Sequence, residues 1–170
     1  MVSERTDAVP GPGITRLTFA HKSIRARIIA DYLRRSGASA CVCFSSGNAA
    51  YELRRCGLDV VEVGPAGDLQ SRTWWKPEDI RRVWPERFDA TPGHLPVFLM
   101  VRLAAAFRQS LGELPAPTYE VPTGSGETIT CLRWAYPGVQ FVPIFGVGRG
   151  TEREPNAPLL SIAEQTPPGD

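Results

Sequence analysis

Lysine is scarce in this chain. Its 170 residues include 19 lysine and arginine side chains, of which only Lys22 and Lys76 are lysines. A GC-rich coding sequence explains the preference for arginine on its own. The scarcity is still useful, because any chemistry that needs a side-chain primary amine has only these two residues to choose from.

Other features that indicate a particular class of protein are also missing. The net charge is +1, which gives no global attraction to nucleic acid or to an anionic membrane surface. No apolar stretch approaches the roughly 20 residues of a membrane span, and the polar segment 1–12 lacks the apolar core of a signal peptide. These absences predict a soluble, cytoplasmic protein without a membrane partner.

Cysteine spacing gives no metal signature. The four cysteines show no Cys-x-x-Cys pair and have no histidine cluster beside them, so neither a metal site nor a disulfide framework is indicated. Cys41 and Cys43 alternate through an apolar run, which predicts that they share one face of a strand as small core residues. We therefore expect no bound metal.

Hydrophobic periodicity predicts an α/β fold. The first elements are helix, strand, helix and strand with short connections, which favours a three-layer αβα fold with a mainly parallel sheet of about four or five strands. Residues 14–148 would form a single domain between a flexible N-terminus at 1–13 and a tail at 149–170. Helices are predicted at residues 23–35, 49–55, 77–83, 94–111 and 129–135, and strands at 40–44, 58–63, 118–121 and 139–145.

A glycine-rich turn joins a predicted strand to a predicted helix. The stretch Pro122-Thr123-Gly124-Ser125-Gly126-Glu127-Thr128 would expose backbone N–H groups at a helix N-terminus, which is an arrangement that binds phosphate. The same stretch resembles the Walker A loop of helicase-like ATPases, but Glu127 stands where that loop needs lysine, and a carboxylate there would repel phosphate. A tight turn with a serine cap and a degenerate ATP-binding domain remain the alternatives.

Two further segments carry candidate chemistry. The first is Phe19-Ala20-His21-Lys22-Ser23, where a lysine opens the first helix although a helix N-terminus favours anions. Partial burial and the local positive field would favour a neutral, nucleophilic amine at Lys22, whereas the alternative is a solvated lysine. The second is Ser45-Ser46-Gly47-Asn48, which follows a strand and leads into a helix, where open parallel sheets bind ligands.

The order of these three segments resembles the fold-type-II family of pyridoxal-phosphate (PLP) enzymes, the relatives of tryptophan synthase β and cysteine synthase. The resemblance spans about residues 17–147. It implies that Lys22 is the Schiff-base lysine and that the cofactor is pyridoxal 5′-phosphate. His21 directly before Lys22 is most similar to the tryptophan-synthase β chain, where such a histidine leans toward the phosphate.

The resemblance also implies how ligands would be held. Asn48 would face the ring oxygen of the cofactor, and the glycine-rich turn would hold its phosphate. The residues that the resemblance assigns to the cofactor are His21, Lys22, Asn48, Gly124, Ser125, Gly126 and Thr128. Those that it assigns to the substrate carboxylate are Ser45, Ser46 and Ala49.

The chain departs from this family in two ways. Residues 64–93 are all that stand where most members have a mobile small domain, so the site would be open or completed by a second subunit in a homodimer. The family's partner for the pyridine nitrogen has no clear match, and Ser161 is the candidate stand-in.

Three functions follow from these observations. The first is a PLP-dependent lyase, a decarboxylase or eliminase, acting on an amino-acid-type substrate, with isomerisation as a related outcome. The second is a phage enzyme that decarboxylates or rearranges an amino-acid-modified thymidine in DNA, in which case the protein would work in the host cytoplasm. The third is a non-catalytic module that binds PLP or phosphate.

Two further features of the sequence are a group of tryptophans and a histidine before the long apolar helix. Trp74-Trp75-Lys76-Pro77 and Trp84-Pro85 form an aromatic group in the replaced small-domain region, and we expect it to pack, with a lid or base-stacking platform as the alternative. His94 precedes the long apolar helix and is interpreted as structural.

Overall fold

The protein is an α/β protein, as the hydrophobic pattern predicts. A computed structural model describes residues 3–4, 14–44, 48–63 and 76–144. The helices are α1 (His21–Arg35), α2 (Asn48–Arg55), α3 (Pro77–Val83), α4 (Val97–Leu111) and α5 (Glu127–Ala135). The strands are β1 (Ser3–Glu4), β2 (Thr15–Thr18), β3 (Ala40–Phe44), β4 (Asp59–Val63), β5 (Phe88–Asp89), β6 (Thr118–Pro122) and β7 (Gln140–Ile144).

The strands form two small sheets. One has the order β1-β2-β6-β7, in which β2, β6 and β7 are parallel and β1 is antiparallel to β2. The other has the order β4-β3-β5 and is parallel throughout. The predicted parallel pairing is confirmed, but the strands do not join into one sheet. In the second sheet β3 is central, and in the first sheet β2 and β7 flank β6.

The chain divides into two compact units. The first unit comprises Met1–His21 and Met100–Asp170, and the second comprises Lys22–Leu99. Each unit contains one of the two sheets. The prediction of a single domain over residues 14–148 stays a prediction.

The core of the first unit lies on its parallel strands. Tyr119 and Val121 alternate along β6 and are buried, as expected when one face of a strand covers a core. The Tyr119 ring stacks on Phe141 of β7 with ring centroids 6.3 Å apart. Ile129 and Leu132 on α5 are also buried, so that helix contributes its apolar face to the core.

The second unit is built around β3. Four of the five residues of β3 are buried, which is typical of a central parallel strand covered on both faces. Phe44 and Val42 form a cluster with Ile80 of α3, and Trp84 packs edge-on against Phe44 at a centroid distance of 5.9 Å. Trp84 therefore packs as predicted, while Trp74 and Trp75 lie outside the described residues.

Several element boundaries differ from the prediction. The helix predicted from residue 94 begins at Val97, because Pro96 cannot donate a backbone hydrogen bond and disfavours a helical conformation at the residue before it. The segment 1–13, predicted as loop, contains β1. Gly37 ends α1 as predicted, and its φ of +74° shows why glycine is needed there.

None of the helices in the described ranges is long and apolar enough to cross a membrane.

Thiol reactivity should separate the cysteines by burial. Cys41, Cys43 and Cys131 are completely buried, whereas Cys56 is half-buried. Burial, with a smaller contribution from the neighbouring Cys43, raises the pKa of the Cys41 thiol to about 12. We expect a thiol reagent at pH 8 to label the folded protein rapidly at one site, and the Cys56→Ser variant to lose that rapid reaction.

The same shift has a consequence for stability. Because the folded-state pKa of Cys41 is raised, its contribution to stability is complete below the ordinary thiol pKa and is lost as pH rises toward 12.

Rapid labelling of more than one thiol in the folded protein would contradict the burial of Cys41, Cys43 and Cys131.

Candidate functional site

A shallow cavity lies at one edge of the first sheet. Because β2, β6 and β7 are parallel, their carboxyl ends meet at this edge, where open α/β sheets bind ligands. The cavity has a volume of about 110 Å³. Its lining residues are Leu17, Thr18, Phe19, His21, Val121 and Pro122.

The glycine-rich turn begins directly after the cavity-lining end of β6. The Thr123 amide donates to the Ile144 carbonyl at 2.9 Å, so the start of the turn is held to β7. The Thr123 hydroxyl accepts a hydrogen bond from the Gly126 amide at 3.1 Å. Gly126 is the N-cap of α5 and has a φ of +87°, a left-handed conformation that glycine adopts without strain.

Part of the turn's hydrogen-bonding capacity is already used by its own side chains. The Ser125 hydroxyl accepts from the Glu127 amide at 3.3 Å, in addition to the bond between Thr123 and Gly126. The first intrahelical bond of α5 runs from the Thr130 amide to the Gly126 carbonyl. Among the described residues, no acceptor is recorded for the amides of Gly124 and Ser125. These two amides, with that of Thr128 in the first helical turn, are the donors that an anion could use.

His21 lies beside the start of α5. Its Nδ1 is 3.2 Å from the Thr128 hydroxyl, although the two residues are 107 positions apart in the chain. The imidazole also contacts the Phe19 ring at a centroid distance of 5.6 Å, and Phe19 packs edge-on against Phe107. These contacts hold the ring at the mouth of the turn. The structure thus brings together one residue from each of two separate sequence motifs.

Glu127 is buried at the same helix end, with 4% of its surface exposed. A carboxylate in the first turn is stabilised by the helix dipole, so the position suits the helix as it stands. Glu127 also stands at the position that the phosphate-binding lysine has in a Walker A loop. The local structure therefore gives no support to the ATP-binding alternative.

The candidate residues Lys22, Asn48 and Ala49 belong to the second unit. Lys22 is the second residue of α1 and is half-buried, and it follows His21 directly in the chain. Asn48 begins α2 and is exposed, whereas Ala49 is buried. Ser45 and Ser46 lie outside the described residues, as does Ser161.

A histidine–aspartate pair in the second unit was not predicted as a site. His94 Nδ1 is 2.7 Å from the Asp89 carboxylate, at the carboxyl end of β5. The other carboxylate oxygen of Asp89 accepts from the Thr91 amide at 3.0 Å. The sequence signal was present in Asp89-Ala-Thr-Pro-Gly-His94, where a Pro-Gly turn returns the chain toward the aspartate.

No protein-family model and no curated protein matches this chain. Within the described ranges, no group of three or more His, Cys, Asp or Glu side chains could hold a metal ion. The chemistry of the site must therefore be argued from its own residues.

The geometry of the turn predicts different costs for its two described glycines. A Cβ at Gly126 would force an L-residue into the left-handed region, which costs about 1–2 kcal/mol. A Cβ at Gly124 would meet no atom within 4 Å, and Gly124 has no positive φ. We expect Gly126→Ala to lower the free energy of unfolding by that amount in urea denaturation, and Gly124→Ala, the matched control, to change it little. Equal effects of the two substitutions would show that the turn has a different conformation.

Proposed function

We propose that the chain binds pyridoxal 5′-phosphate and uses it on an amino-acid-type substrate. The glycine-rich turn and the start of α5 would hold the phosphate, and the Lys22 amine would attach the cofactor covalently. The fold would then be a shortened version of the fold-type-II architecture. The resemblance of the three sequence segments suggests the cofactor, and the geometry of the first unit supports its phosphate end.

One observation carries the proposal. The hydrogen bond between His21 and Thr128 joins the segment that contains the lysine to the phosphate turn, across 107 residues of chain. His21 and Thr128 belong to separate sequence motifs, both of which the resemblance assigns to the phosphate. The parallel pairing of β2 with β6 brings the segments that follow these two strands to the same edge of the sheet.

The hydrogen-bond donors of the first unit suit a phosphate better than a whole cofactor, although the buried Glu127 carboxylate in the first turn of α5 opposes an anion there. The cavity of about 110 Å³ is below the roughly 300–1,000 Å³ of pockets that enclose small molecules. Amide donors at Gly124 and Ser125, the first turn of α5 and the Thr128 hydroxyl are suitable partners for a phosphate. The space beside Gly124 leaves room for an anion to approach the backbone.

Each part of the site would have its own role. The turn would bind the anionic end of the ligand, while the His21 imidazole would gain or lose a proton according to the charge of the bound phosphate. Lys22 would provide the primary amine and would hold or return a proton near the α-carbon of the substrate. When bound, the cofactor supplies an electron-withdrawing ring that assists loss of a proton or a carboxylate from that carbon. Decarboxylation, elimination and isomerisation all fit this chemistry.

A second candidate is a non-catalytic phosphate-binding module. It is favoured by the fact that the turn, the cavity and the His21–Thr128 pair all lie in the first unit and need no residue of the second. Turnover of an amino acid, or of amino-acid-modified thymidine in DNA, distinguishes the enzyme from the module.

The attachment of PLP can be tested on the two lysines. We expect the purified protein with PLP to show a visible absorbance band, and borohydride to fix the cofactor to the peptide that contains Lys22. Lys22→Arg should abolish both the band and the adduct. Lys76→Arg, which changes the exposed lysine at the start of α3, is the matched control and should keep both.

An adduct on Lys76 alone, or no band in the wild-type protein, would sink the covalent role of Lys22. If the Lys22→Arg variant still bound PLP without the band, the phosphate half of the site would stand and the non-catalytic module would become the better description.

The binding of phosphate by the Thr128 hydroxyl can be tested separately. Thr128→Val keeps the side-chain volume but removes the hydroxyl, and loss of a hydrogen bond to a charged group costs about 1.5–3 kcal/mol. We expect the Kd for PLP and for inorganic phosphate to rise roughly tenfold to hundredfold. Thr118→Val removes a hydroxyl at the opposite end of β6, where it contacts Gln140, and serves as the control. Unchanged affinity in Thr128→Val, measured by calorimetry, would place the phosphate elsewhere.

A further inference from the structure

The cavity at the edge of the first sheet has mainly apolar walls. Four of its six lining residues are apolar, namely Leu17, Phe19, Val121 and Pro122. Leu17 and Val121 are buried, with 1% and 2% of their surfaces exposed, and the Phe19 ring is held edge-on against Phe107 at a centroid distance of 4.9 Å. These contacts hold the walls in place, so a group that enters the cavity meets a preformed apolar surface.

The cavity and the glycine-rich turn share a wall. Pro122 lines the cavity and directly precedes Thr123, the first residue after β6. His21 also lines the cavity, and its Nδ1 is 3.2 Å from the Thr128 hydroxyl in the first turn of α5. A phosphate bound at Thr128 and a group inside the cavity would contact the same imidazole, so a single small molecule can reach both.

The volume limits what the cavity can hold. An apolar protein cavity of about 150 Å³ binds benzene, which has six carbon atoms. By proportion, the volume of about 110 Å³ accommodates about four carbon atoms. The substituted ring of PLP is larger than benzene, so this ring would remain outside the cavity. The group that fills the cavity must therefore be short and apolar.

Such a group would supply affinity that the turn lacks. The buried Glu127 carboxylate opposes an anion at the start of α5, and the hydroxyls of Thr123 and Ser125 already occupy two of the amides. Burial of one methylene group strengthens binding by up to about fourfold. A short aliphatic chain in the cavity would therefore offset the unfavourable features of the turn.

We propose that the first unit binds small alkyl phosphate monoesters, with the phosphate at the glycine-rich turn and an aliphatic group of up to about four carbon atoms in the cavity. The inference rests on the proposed phosphate site, but it does not need the covalent role of Lys22. It defines a ligand class for the phosphate-binding module, which is a phosphate ester with a short apolar substituent.

A series of n-alkyl phosphates tests the length limit. We expect the Kd of the full-length protein, measured by calorimetry, to fall about threefold to fourfold with each carbon from methyl to butyl phosphate. It should change little from butyl to hexyl phosphate, because the added carbons stay in water. Equal Kd values for inorganic phosphate and butyl phosphate would overturn the inference, although the phosphate site itself would stand.

Two substitutions at Val121 should move the length limit in opposite directions. Val121→Ala enlarges the cavity, so the gain in affinity should continue to longer chains, whereas Val121→Ile fills it and should end the gain at shorter ones. Val142→Ala changes a half-buried valine of β7 that does not line the cavity, and this matched control should keep the limit at butyl phosphate. A general loss of stability does not shift the limit both ways. Unchanged limits in both Val121 variants would overturn the inference.

The compound 1-butanol separates this inference from the proposed function, because it has the chain without the phosphate. In a ¹H–¹⁵N spectrum of ¹⁵N-histidine-labelled protein, we expect 1-butanol to shift the signals of His21. Those of His94, which does not line the cavity, should stay fixed.

Binding of inorganic phosphate without any effect of chain length or of 1-butanol would overturn this inference alone. Absence of binding by inorganic and alkyl phosphates would overturn the proposed phosphate site together with the ligand class inferred from it.

Discussion

Parallel pairing of strands places the residues that follow each strand at one edge of a sheet. In the first unit this edge contains the end of β2, with His21 three residues beyond it, and the end of β6, with the glycine-rich turn after it. In the second unit the corresponding edge contains the carboxyl ends of β3 and β5. This constraint explains the position of every candidate residue that the structure describes, because each lies in or just after a short connection that leaves the carboxyl end of a parallel strand.

The glycine-rich turn is stabilised by hydrogen bonds of its own side chains. Hydroxyls of Thr123 and Ser125 satisfy the Gly126 and Glu127 amides, which would otherwise be open at the N-terminus of α5. These bonds hold the turn in one conformation. Backbone N–H donors that are already held in place lose little entropy when they bind a ligand. The same bonds also leave fewer amides for a ligand, so the proposed phosphate site would depend more on the Thr128 hydroxyl and His21.

The sequence predicts the regular elements well and the long-range contacts poorly. Helices α1 and α2 were found because apolar spacing and the terminal glycines Gly37 and Gly57 are local signals. The strands β2 and β5 were missed because they are short and lack an apolar run, although each pairs with a central strand of its sheet. The contact of His21 with Thr128 was suggested only through the resemblance, since no local signal relates residues so distant in the chain.

The two histidines occupy similar positions but have different partners. Each imidazole binds a side-chain oxygen through Nδ1, near the carboxyl end of a parallel strand. The hydroxyl of Thr128 can donate or accept, so this contact alone does not fix the tautomer of His21. The carboxylate of Asp89 can only accept while it is ionised, so it places the proton of His94 on Nδ1 and the lone pair on Nε2. The two partners therefore give the rings different hydrogen-bonding capacities, although both rings lie where a parallel strand ends.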